Sequence, residues 1–424
     1  MKYAIVTFGC RVNQADSTDI ERQLRAQGGR PVDAEEAELV VVNTCSVTCS
    51  ADHGARQIIR RIARKNPKAR IVATGCYATR AASELATLPG VTSVVPNSQK
   101  LTMAADIAPS YGTGQQTTAE RFGDGDGSCG APISPWSGRT TYTLRVQTGC
   151  DEACAYCIIP STRGLGRSMP VSRVLEEADR IVGEGFREAS LTGVHIGSYG
   201  RDLTPGTSLL QLLRLLDSHP SDLIFRISSL EPMDCGDAIV DLVARSGRFA
   251  PHFHLPLQNA SDRVLRAMRR PYSLGYYRRL VDMIRGRMPH AAIGSDLVVG
   301  FPGETAADFE TNLEYLSESP LTYLHVFPYS DRPGTEATGL RGKVHGTTVR
   351  QRARAIRDSG KELAARFRLS QLGAVRPALT IDGGRVAVTD NYLKVKVPFE
   401  RPENQRVRVR ITSAGEPPAG ELVC

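Results

Sequence analysis

The chain has 424 residues, of which 41% are hydrophobic and 39 are glycine, a composition typical of globular rather than disordered proteins. Its length predicts more than one domain, and no apolar run is long enough to cross a membrane. The first ten residues lack the apolar core and cleavage site of a signal peptide, so we expect a cytoplasmic protein.

Positive charge is concentrated near the end of the chain. Lys and Arg number 53 and Asp and Glu 45, a net charge of +8. Residues 341–424 hold 17 basic and 8 acidic residues, whereas the first 340 are close to neutral. This asymmetry predicts a polyanion partner, with nucleic acid as the leading candidate and a solvated basic surface as the alternative.

Three segments of the first hundred residues resemble one another: KYAIVTFGC, ELVVVNTC and RIVATGC. Each is an unbroken β-branched run, typical of strands buried on both faces of a parallel sheet. Helix-like stretches at 14–27 and 51–65 separate them. We therefore predict a doubly wound α/β domain over residues 1–107.

Each of these predicted strands is followed by a cysteine: Cys10, Cys45 and Cys76. Because the carboxyl ends of parallel strands share one edge of the sheet, we expect the three thiols to converge. Three thiolates without a histidine favour an iron–sulfur cluster over zinc, and buried structural cysteines are the alternative. We interpret Cys49, four residues after Cys45, as a bystander.

A second domain is predicted after a Gly-, Ser-, Thr- and Pro-rich linker at 108–139, which contains Cys129. Six strand candidates alternate with amphipathic helices from 140 to 340, which predicts an open, partial (β/α)6 barrel of the TIM type. Chemistry in such barrels collects at the carboxyl ends of the strands. The polar residues predicted there are Cys150, Thr192, His195, Ser228, Glu231, Gln258, Asp296 and Tyr329.

The most specific motif is CDEACAYC, which begins at Cys150 and has the spacing C-x3-C-x2-C. Cys150, Cys154 and Cys157 on one loop can hold three irons of a four-iron cubane and leave the fourth without a protein ligand. That iron can chelate S-adenosylmethionine (SAM), whose cleavage yields a 5′-deoxyadenosyl radical. Zinc sites more often have paired C-x2-C spacing.

The end of the chain is predicted to contain a largely helical basic segment at 341–368 and a β-rich domain at 369–424. Apolar and basic residues alternate in LKVKV and RVRVRI, which places the apolar row inside a small barrel. The outward basic row suits RNA phosphates. It comprises Lys394, Lys396, Arg406, Arg408 and Arg410.

The chain resembles the radical SAM methylthiotransferases over essentially its whole length. Segments that carry the resemblance are TFGCRVNQADS, VVNTCSVT, ATGCYATR, HLPLQNASDRVLRAMRRPY, SDLVVGFPGET and FPYSDRPGT. The resemblance implies a small RNA-binding TRAM barrel at the end of the chain. It also implies two 4Fe-4S clusters, an auxiliary one on Cys10, Cys45 and Cys76 and a radical SAM cluster on the second cysteine set.

The same resemblance implies that SAM serves as both radical source and methyl donor, and that a flavodoxin or ferredoxin-type protein supplies electrons. We assign the binding of this cofactor to Tyr156, Thr192, Gly193, Ser228, Glu231, Gln258 and Asp296. No catalytic residue beyond the clusters is predicted.

Two cysteine segments, GCRVNQADS and NTCSVTCSADHGARQIIRR, resemble one subgroup of this family. That subgroup adds a methylthio group to C2 of N6-threonylcarbamoyladenosine at position 37 of tRNA, so the implied partner is the anticodon stem-loop. The alternatives are isopentenyladenosine in tRNA, an aspartate of a ribosomal protein, and a non-catalytic iron–sulfur RNA-binding protein.

Overall fold

The computed structural model describes residues 1–100, 102–107, 140–398 and 401–423. The predicted linker with Cys129 lies outside the described residues. No helix within the described ranges combines the length and the apolarity that crossing a membrane requires.

The first unit is a five-stranded parallel sheet with helices on both faces. Its strands are β1 (Lys2–Thr7), β2 (Arg30–Pro31), β3 (Leu39–Thr44), β4 (Arg70–Gly75) and β5 (Val91–Val95), in the spatial order β2-β1-β3-β4-β5. Its helices are α1 (Arg11–Ala26), α2 (Cys49–Lys65), α3 (Cys76–Arg80), α4 (Ala82–Ala86) and α5 (Met103–Ile107).

Two separate apolar cores lie on the two faces of this sheet. Ile20 and Leu24 of α1 pack with Met103 of α5 in one core, and Ala55 and Ile59 of α2 belong to the other. The predicted doubly wound α/β architecture is therefore confirmed. The unbroken apolar runs of β3 and β4 are buried on both faces, as expected for central parallel strands.

The second unit contains six parallel strands in chain order and one short antiparallel ribbon. The strands are β6 (Thr141–Arg145), β9 (Glu188–Thr192), β10 (Ile224–Ile227), β11 (His252–His254), β12 (Ala292–Val299) and β13 (Tyr323–Pro328), and the ribbon is β7 (Gln147–Thr148) with β8 (Arg167–Ser168). Parallel bridges at Phe225–Phe249 and Ser229–His254 join the two three-stranded halves.

In the part of the chain that the structure describes, five helices cover the outside of these strands, and they are α7 (Val171–Gly183), α8 (Leu209–Asp217), α9 (Asp237–Arg245), α11 (Leu274–Arg287) and α12 (Ala306–Glu318). Two short helices, α6 (Ile159–Arg163) and α10 (Asp262–Ala267), lie in the segments that follow β7 and β11. No ladder joins β6 to β13 among the described residues. The predicted open, partial barrel is confirmed.

A long helix connects the barrel to a closed five-stranded β-barrel. The helix α13 (Gly346–Ser370) packs against α12 and β13, and its Arg352 forms a 2.5 Å ion pair with the buried Glu304. The strands that follow are β14 (Val375–Ile381), β15 (Val386–Thr389), β16 (Lys394–Lys396), β17 (Arg406–Ser413) and β18 (Ala419–Val423). They close in the order β14-β15-β16-β18-β17, which confirms the predicted small β-barrel.

The alternation predicted for β16 and β17 is also present. Val395, Val409 and Ile411 are buried in the barrel core. The basic side chains between them point outward and are exposed; they are Lys394, Lys396, Arg406, Arg408 and Arg410.

Candidate active site

Cys10, Cys45 and Cys76 lie at the carboxyl edge of three adjacent strands, β1, β3 and β4. Cys10 precedes α1 and is exposed, whereas Cys45 and Cys76 are buried. Gly9 has φ of +89° and packs so tightly that a Cβ there would lie 2.6 Å from Cys45 Sγ. Only glycine tolerates both conditions, so this residue lets the Cys10 loop approach Cys45 closely.

Hydrogen-bond donors and cations surround these thiols. The Val47 backbone N–H donates to Cys45 Sγ at 3.5 Å, and Asn97 Nδ2 donates to Cys76 Sγ at 3.6 Å. Burial raises the pKa of Cys76, but Arg163 and Lys100 outweigh it, so the net pKa lies below that of an ordinary thiol. A thiolate favoured by cations and amide donors is the donor set that an iron–sulfur cluster requires.

The second cysteine loop follows the short strand β7 of the barrel. Cys150 is buried and Cys154 and Cys157 are half-buried. Burial raises the pKa of Cys154, and it raises the pKa of Cys157 to about 12. A bound metal would hold such thiols as thiolates, so three of them on one loop fit a cluster with one open iron.

Arg270 joins this loop to a predicted site residue. Its Nη1 donates to Cys154 Sγ at 3.2 Å, and its Nη2 donates to the carboxylate of Glu231. Burial raises the pKa of Glu231 despite the opposing charge of Arg270. The sequence contains no local signal for Arg270, because it lies 116 residues after Cys154.

A second cation lies beside Cys150. His195 Nε2 is 2.6 Å from Asp234 Oδ2. Burial lowers the pKa of His195, but Asp234 and Cys150 outweigh it and raise the pKa to about 10. The Asp234 carboxylate thus favours the protonated form of His195, next to the cysteine loop.

Three of the residues predicted to bind SAM form one part of the barrel rim. Ser228 Oγ donates to Thr192 Oγ1 at 3.4 Å, at the ends of β10 and β9. The next residue, Gly193, packs on Gln147, whose Oε1 would lie 2.9 Å from a Cβ at this position. Gln147 Oε1 accepts from the backbone N–H groups of Val194 and His195 at 3.0 Å and so shapes this turn. Sequence reasoning missed Gln147.

The other predicted residues lie elsewhere on the barrel. Asp296 Oδ1 is 3.0 Å from His254 Nε2 and 3.1 Å from His325 Nδ1, and the two imidazoles hold the pKa of Asp296 well below its usual range despite burial. Gln258 has φ of +68° and donates its backbone N–H to Asp296 O at 2.8 Å.

Tyr156 and Tyr329 pack edge-to-face on Phe301, at centroid distances of 6.4 Å and 5.6 Å. These two rings lie in an apolar cluster on the loop side of the site.

The helices that flank the two cysteine sets are docked together. Helix α3, which begins at Cys76, packs on α6, which follows Cys157. Asn97 Nδ2 bridges them by donating to Cys76 Sγ and to Thr162 O at 2.9 Å. The carboxyl edges of both parallel sheets thus meet at one place.

Cys49 begins α2 and lies outside this arrangement. Its Sγ contacts the guanidinium of Arg332, in a loop of the second unit. Arg332 also forms a 2.7 Å ion pair with Asp52. Cys49 is therefore part of the interface between the units.

Two of the basic residues of the C-terminal barrel have acidic partners that the sequence did not predict. Arg406 is 3.4 Å from Asp222, which precedes β10 at the amino end of the (β/α)6 barrel. Arg410 is 3.3 Å from Glu421 on the neighbouring strand. No ion pair involves Lys396 or Arg408 among the described residues.

Comparisons with known proteins agree with this architecture. Residues 2–96 match the family described as Uncharacterized protein family UPF0004, and residues 144–316 match the Radical SAM superfamily. The radical S-adenosylmethionine methyltransferase TsrM from Kitasatospora setae has a similar fold, with a TM-score of 0.56 at 15% identity, over 80% of this chain and 76% of that chain. The fold and the cysteine loop thus define a radical SAM enzyme.

Similar proteins indicate which family of radical SAM enzymes the chain belongs to. The threonylcarbamoyladenosine tRNA methylthiotransferase MtaB of Aquifex aeolicus is 34% identical over 97% of this chain and 100% of its own length. The enzyme of the same name from Bacillus subtilis is 32% identical over 98% of this chain and 94% of its own length. The tRNA-2-methylthio-N(6)-dimethylallyladenosine synthase of Chloroflexus aurantiacus is 33% identical over 79% of this chain and 71% of its own length. The chain belongs to the radical SAM methylthiotransferase family, whose cofactors are 4Fe-4S clusters and SAM.

Proposed function

We propose that the protein adds a methylthio group to C2 of N6-threonylcarbamoyladenosine at position 37 of tRNA. The observation that carries this proposal is the end-to-end similarity to the Aquifex aeolicus enzyme of that name, which this chain covers completely. Three dimethylallyladenosine synthases match over 71% to 76% of their lengths. The anticodon stem-loop is then the partner, and the cytoplasm is the compartment in which the enzyme meets it.

We further propose that Cys10, Cys45 and Cys76 hold the auxiliary cluster and that Cys150, Cys154 and Cys157 hold the radical SAM cluster. When bound, the radical SAM cluster would supply the electron that cleaves SAM to the hydrogen-abstracting radical, and the auxiliary cluster would supply the sulfur of the methylthio group. A flavodoxin or ferredoxin-type protein is the proposed source of electrons. The side chains that contact each set of cysteines support this assignment of two clusters.

The polar side chains near the second cysteine loop and at the ends of β9 and β10 each have a role in this proposal. Arg270 orients the Cys154 thiolate and Glu231 together, because it donates to both. His195 lies beside Cys150 and is held there by its 2.6 Å contact with Asp234. The hydroxyls of Thr192 and Ser228 face a cofactor bound at the strand ends. Gly193, Gln258, Asp296 and Tyr156 complete the proposed set of SAM-binding residues.

The proposed domains correspond to these separate functions. Residues 1–107 carry the auxiliary cluster, 108–139 link it to the barrel, and 140–340 form the radical SAM barrel. Residues 341–368 connect the barrel to a TRAM-like RNA-binding domain at 369–424.

Mass spectrometry of tRNA nucleosides from a deletion strain tests the substrate. We expect the strain to lack 2-methylthio-threonylcarbamoyladenosine and to accumulate the unthiolated precursor. A plasmid with the wild-type chain should restore the product, and one encoding Cys154→Ala should not. If methylthio-isopentenyladenosine disappears instead, or if only a ribosomal aspartate loses its methylthio group, the proposed substrate is wrong.

A further inference from the structure

Arg11 reaches from the first unit into the interior of the (β/α)6 barrel. It directly follows Cys10 and is the first residue of α1. Its Nη1 donates to Ser190 Oγ on β9 at 2.6 Å, and its Nη2 donates to the hydroxyl of Tyr392 at 3.2 Å. Tyr392 lies between β15 and β16 of the C-terminal barrel, so one guanidinium touches all three units beside a proposed cluster ligand.

Both of these partners are neutral hydroxyls. Arg11 forms no ion pair with any residue that the structure describes. Glu188, whose charge interacts with Arg11, forms its ion pair with Arg226, at 3.0 Å. A guanidinium has five N–H donors in a planar fork that matches a carboxylate, and the two hydroxyls accept from only two of them. The other donors can bind an anionic ligand.

Tyr392 is held in an unusual conformation. Its φ of +71° is in the left-handed region, which non-glycine residues rarely adopt. The fully buried Asn391 anchors the loop by donating from Nδ2 to His290 O at 2.9 Å and to Gln371 Oε1 at 2.8 Å. Tyr392 itself remains 41% exposed. The backbone N–H of Tyr392 donates to Thr389 O at 2.9 Å, so the turn between β15 and β16 fixes the ring beside Arg11.

A wall of rings continues from Tyr392 toward the carboxyl ends of the strands. The Tyr392 ring lies 6.1 Å from that of Tyr323, which lies 5.5 Å from that of His325. His325 Nδ1 lies 3.1 Å from Oδ1 of Asp296, within β12, and the His325 side chain is 55% exposed. Aromatic and imidazole faces are the surfaces on which proteins stack unpaired RNA bases.

We propose that Arg11 binds the carboxylate of the substrate's threonyl side chain, and that Tyr392, Tyr323 and His325 form the wall against which the modified adenine lies. This inference rests on the proposed function. It makes Arg11 a specificity residue, since an isopentenyl group in the same place would offer the guanidinium no anion.

Binding to short anticodon stem-loop RNAs tests the proposal without relying on turnover. The RNAs carry threonylcarbamoyladenosine, its methyl ester, isopentenyladenosine or unmodified adenosine at the same position. The full chain, with both clusters reconstituted and without reductant, is titrated with each RNA. The wild type should bind the acid about 10- to 100-fold more tightly than the ester, the range for a hydrogen-bonded ion pair.

Arg11→Gln should bring the acid-to-ester ratio close to one, and Arg11→Lys should retain part of it, because lysine keeps the charge but loses the fork. Arg22→Gln is the matched control, since Arg22 lies on the same helix, pairs with Asp19 and also contacts the barrel through an ion pair with Glu177. It should keep the wild-type ratio. If Arg11→Gln also keeps that ratio, the carboxylate assignment is wrong.

Two further measurements distinguish a wrong carboxylate assignment from a wrong substrate and from loss of a cluster. If the wild type itself does not prefer the acid RNA over the isopentenyl and unmodified RNAs, the proposed function fails. If Arg11→Gln loses iron through its neighbour Cys10, Tyr392→Phe replaces it, because this change removes only the hydroxyl that positions Arg11. Tyr392→Phe should lower the acid-to-ester ratio several-fold, and an unchanged ratio would overturn the proposal.

Discussion

Arg163 Nη2 donates to Asp16 Oδ2 at 3.0 Å, and this buried ion pair joins the barrel to the first unit. Asp16 also pairs with Lys100 at 2.8 Å and with Arg145 of β6. Arg163 ends α6, just after the second cysteine loop, and Asp16 lies on α1, just after Cys10. One carboxylate therefore links the helix that follows Cys10 to the helix that follows the second cysteine loop.

Asp16→Asn should destabilise the protein strongly, because it leaves three cations at a buried site without their shared anion. Loss of one partner from a buried ion pair costs about 3–5 kcal/mol. Urea unfolding of the metal-depleted chain measures the change. Asp33→Asn is the control, since Asp33 is exposed and forms no ion pair among the described residues. Equal stability of the two variants would show that the network contributes little.

The same carboxylate should make stability depend on pH. Burial raises the pKa of Asp16, but Lys100, Arg163 and Arg145 outweigh it and hold the pKa well below its usual range. Because the folded pKa is depressed, the stabilisation is present above the unfolded value of about 3.9 and is lost as pH falls below it. Unfolding free energies of wild type and Asp16→Asn should therefore converge as pH falls below about 4. A constant difference would contradict this reasoning.

Cys154→Ala should abolish SAM cleavage, because a loop with two thiolates does not hold the cubane. Iron content after anaerobic reconstitution should fall from about eight to about four per chain. Cys235→Ala is the control, as Cys235 is a buried cysteine outside both sets. Wild-type production of 5′-deoxyadenosine by Cys154→Ala would disprove the assignment of this loop.

Cys45→Ala should stop methylthio transfer while leaving SAM cleavage largely intact, because the two cysteine sets belong to different units. Product analysis by mass spectrometry follows both reactions in one sample. Cys49→Ala is matched to it in sequence and should retain the full iron content, as this thiol contacts Arg332 instead. Equal loss of both reactions in Cys45→Ala would show that the two sites do not act separately.

Neutralising Arg406, Arg408 and Arg410 together should weaken tRNA binding and flatten its salt dependence by about 0.7–0.9 log units per lost phosphate contact. Because Arg406 and Arg410 have carboxylate partners, we expect Arg408→Gln alone to account for much of the change. SAM cleavage without tRNA should not change. Arg173→Gln, an exposed residue of α7, is the control. An unaltered salt slope in the triple variant would mean that this face is only solvated.

The sequence by itself determined the elements and the cysteine sets. Unbroken β-branched runs predicted β1, β3 and β4, and strict alternation predicted the buried Val395 and Val409, because both patterns are local consequences of strand geometry. The placement of Cys10, Cys45 and Cys76 on one edge followed from parallel pairing. The spacing from Cys150 to Cys157 needed no tertiary information.

Only the tertiary structure decided which side chains surround those cysteines. Arg270 lies 116 residues from Cys154, Arg163 lies 147 from Asp16, and Arg11 lies 381 from Tyr392. Such contacts produce no hydrophobic periodicity in the sequence. A charged residue is the same letter whether its side chain is solvated or buried against a partner. Arg406 shows this most clearly, since its alternating pattern predicted a free basic face and the folded chain pairs it with Asp222. Ion pairs and ligand-facing residues depend on how the three units dock, and docking is set by the packing of whole surfaces.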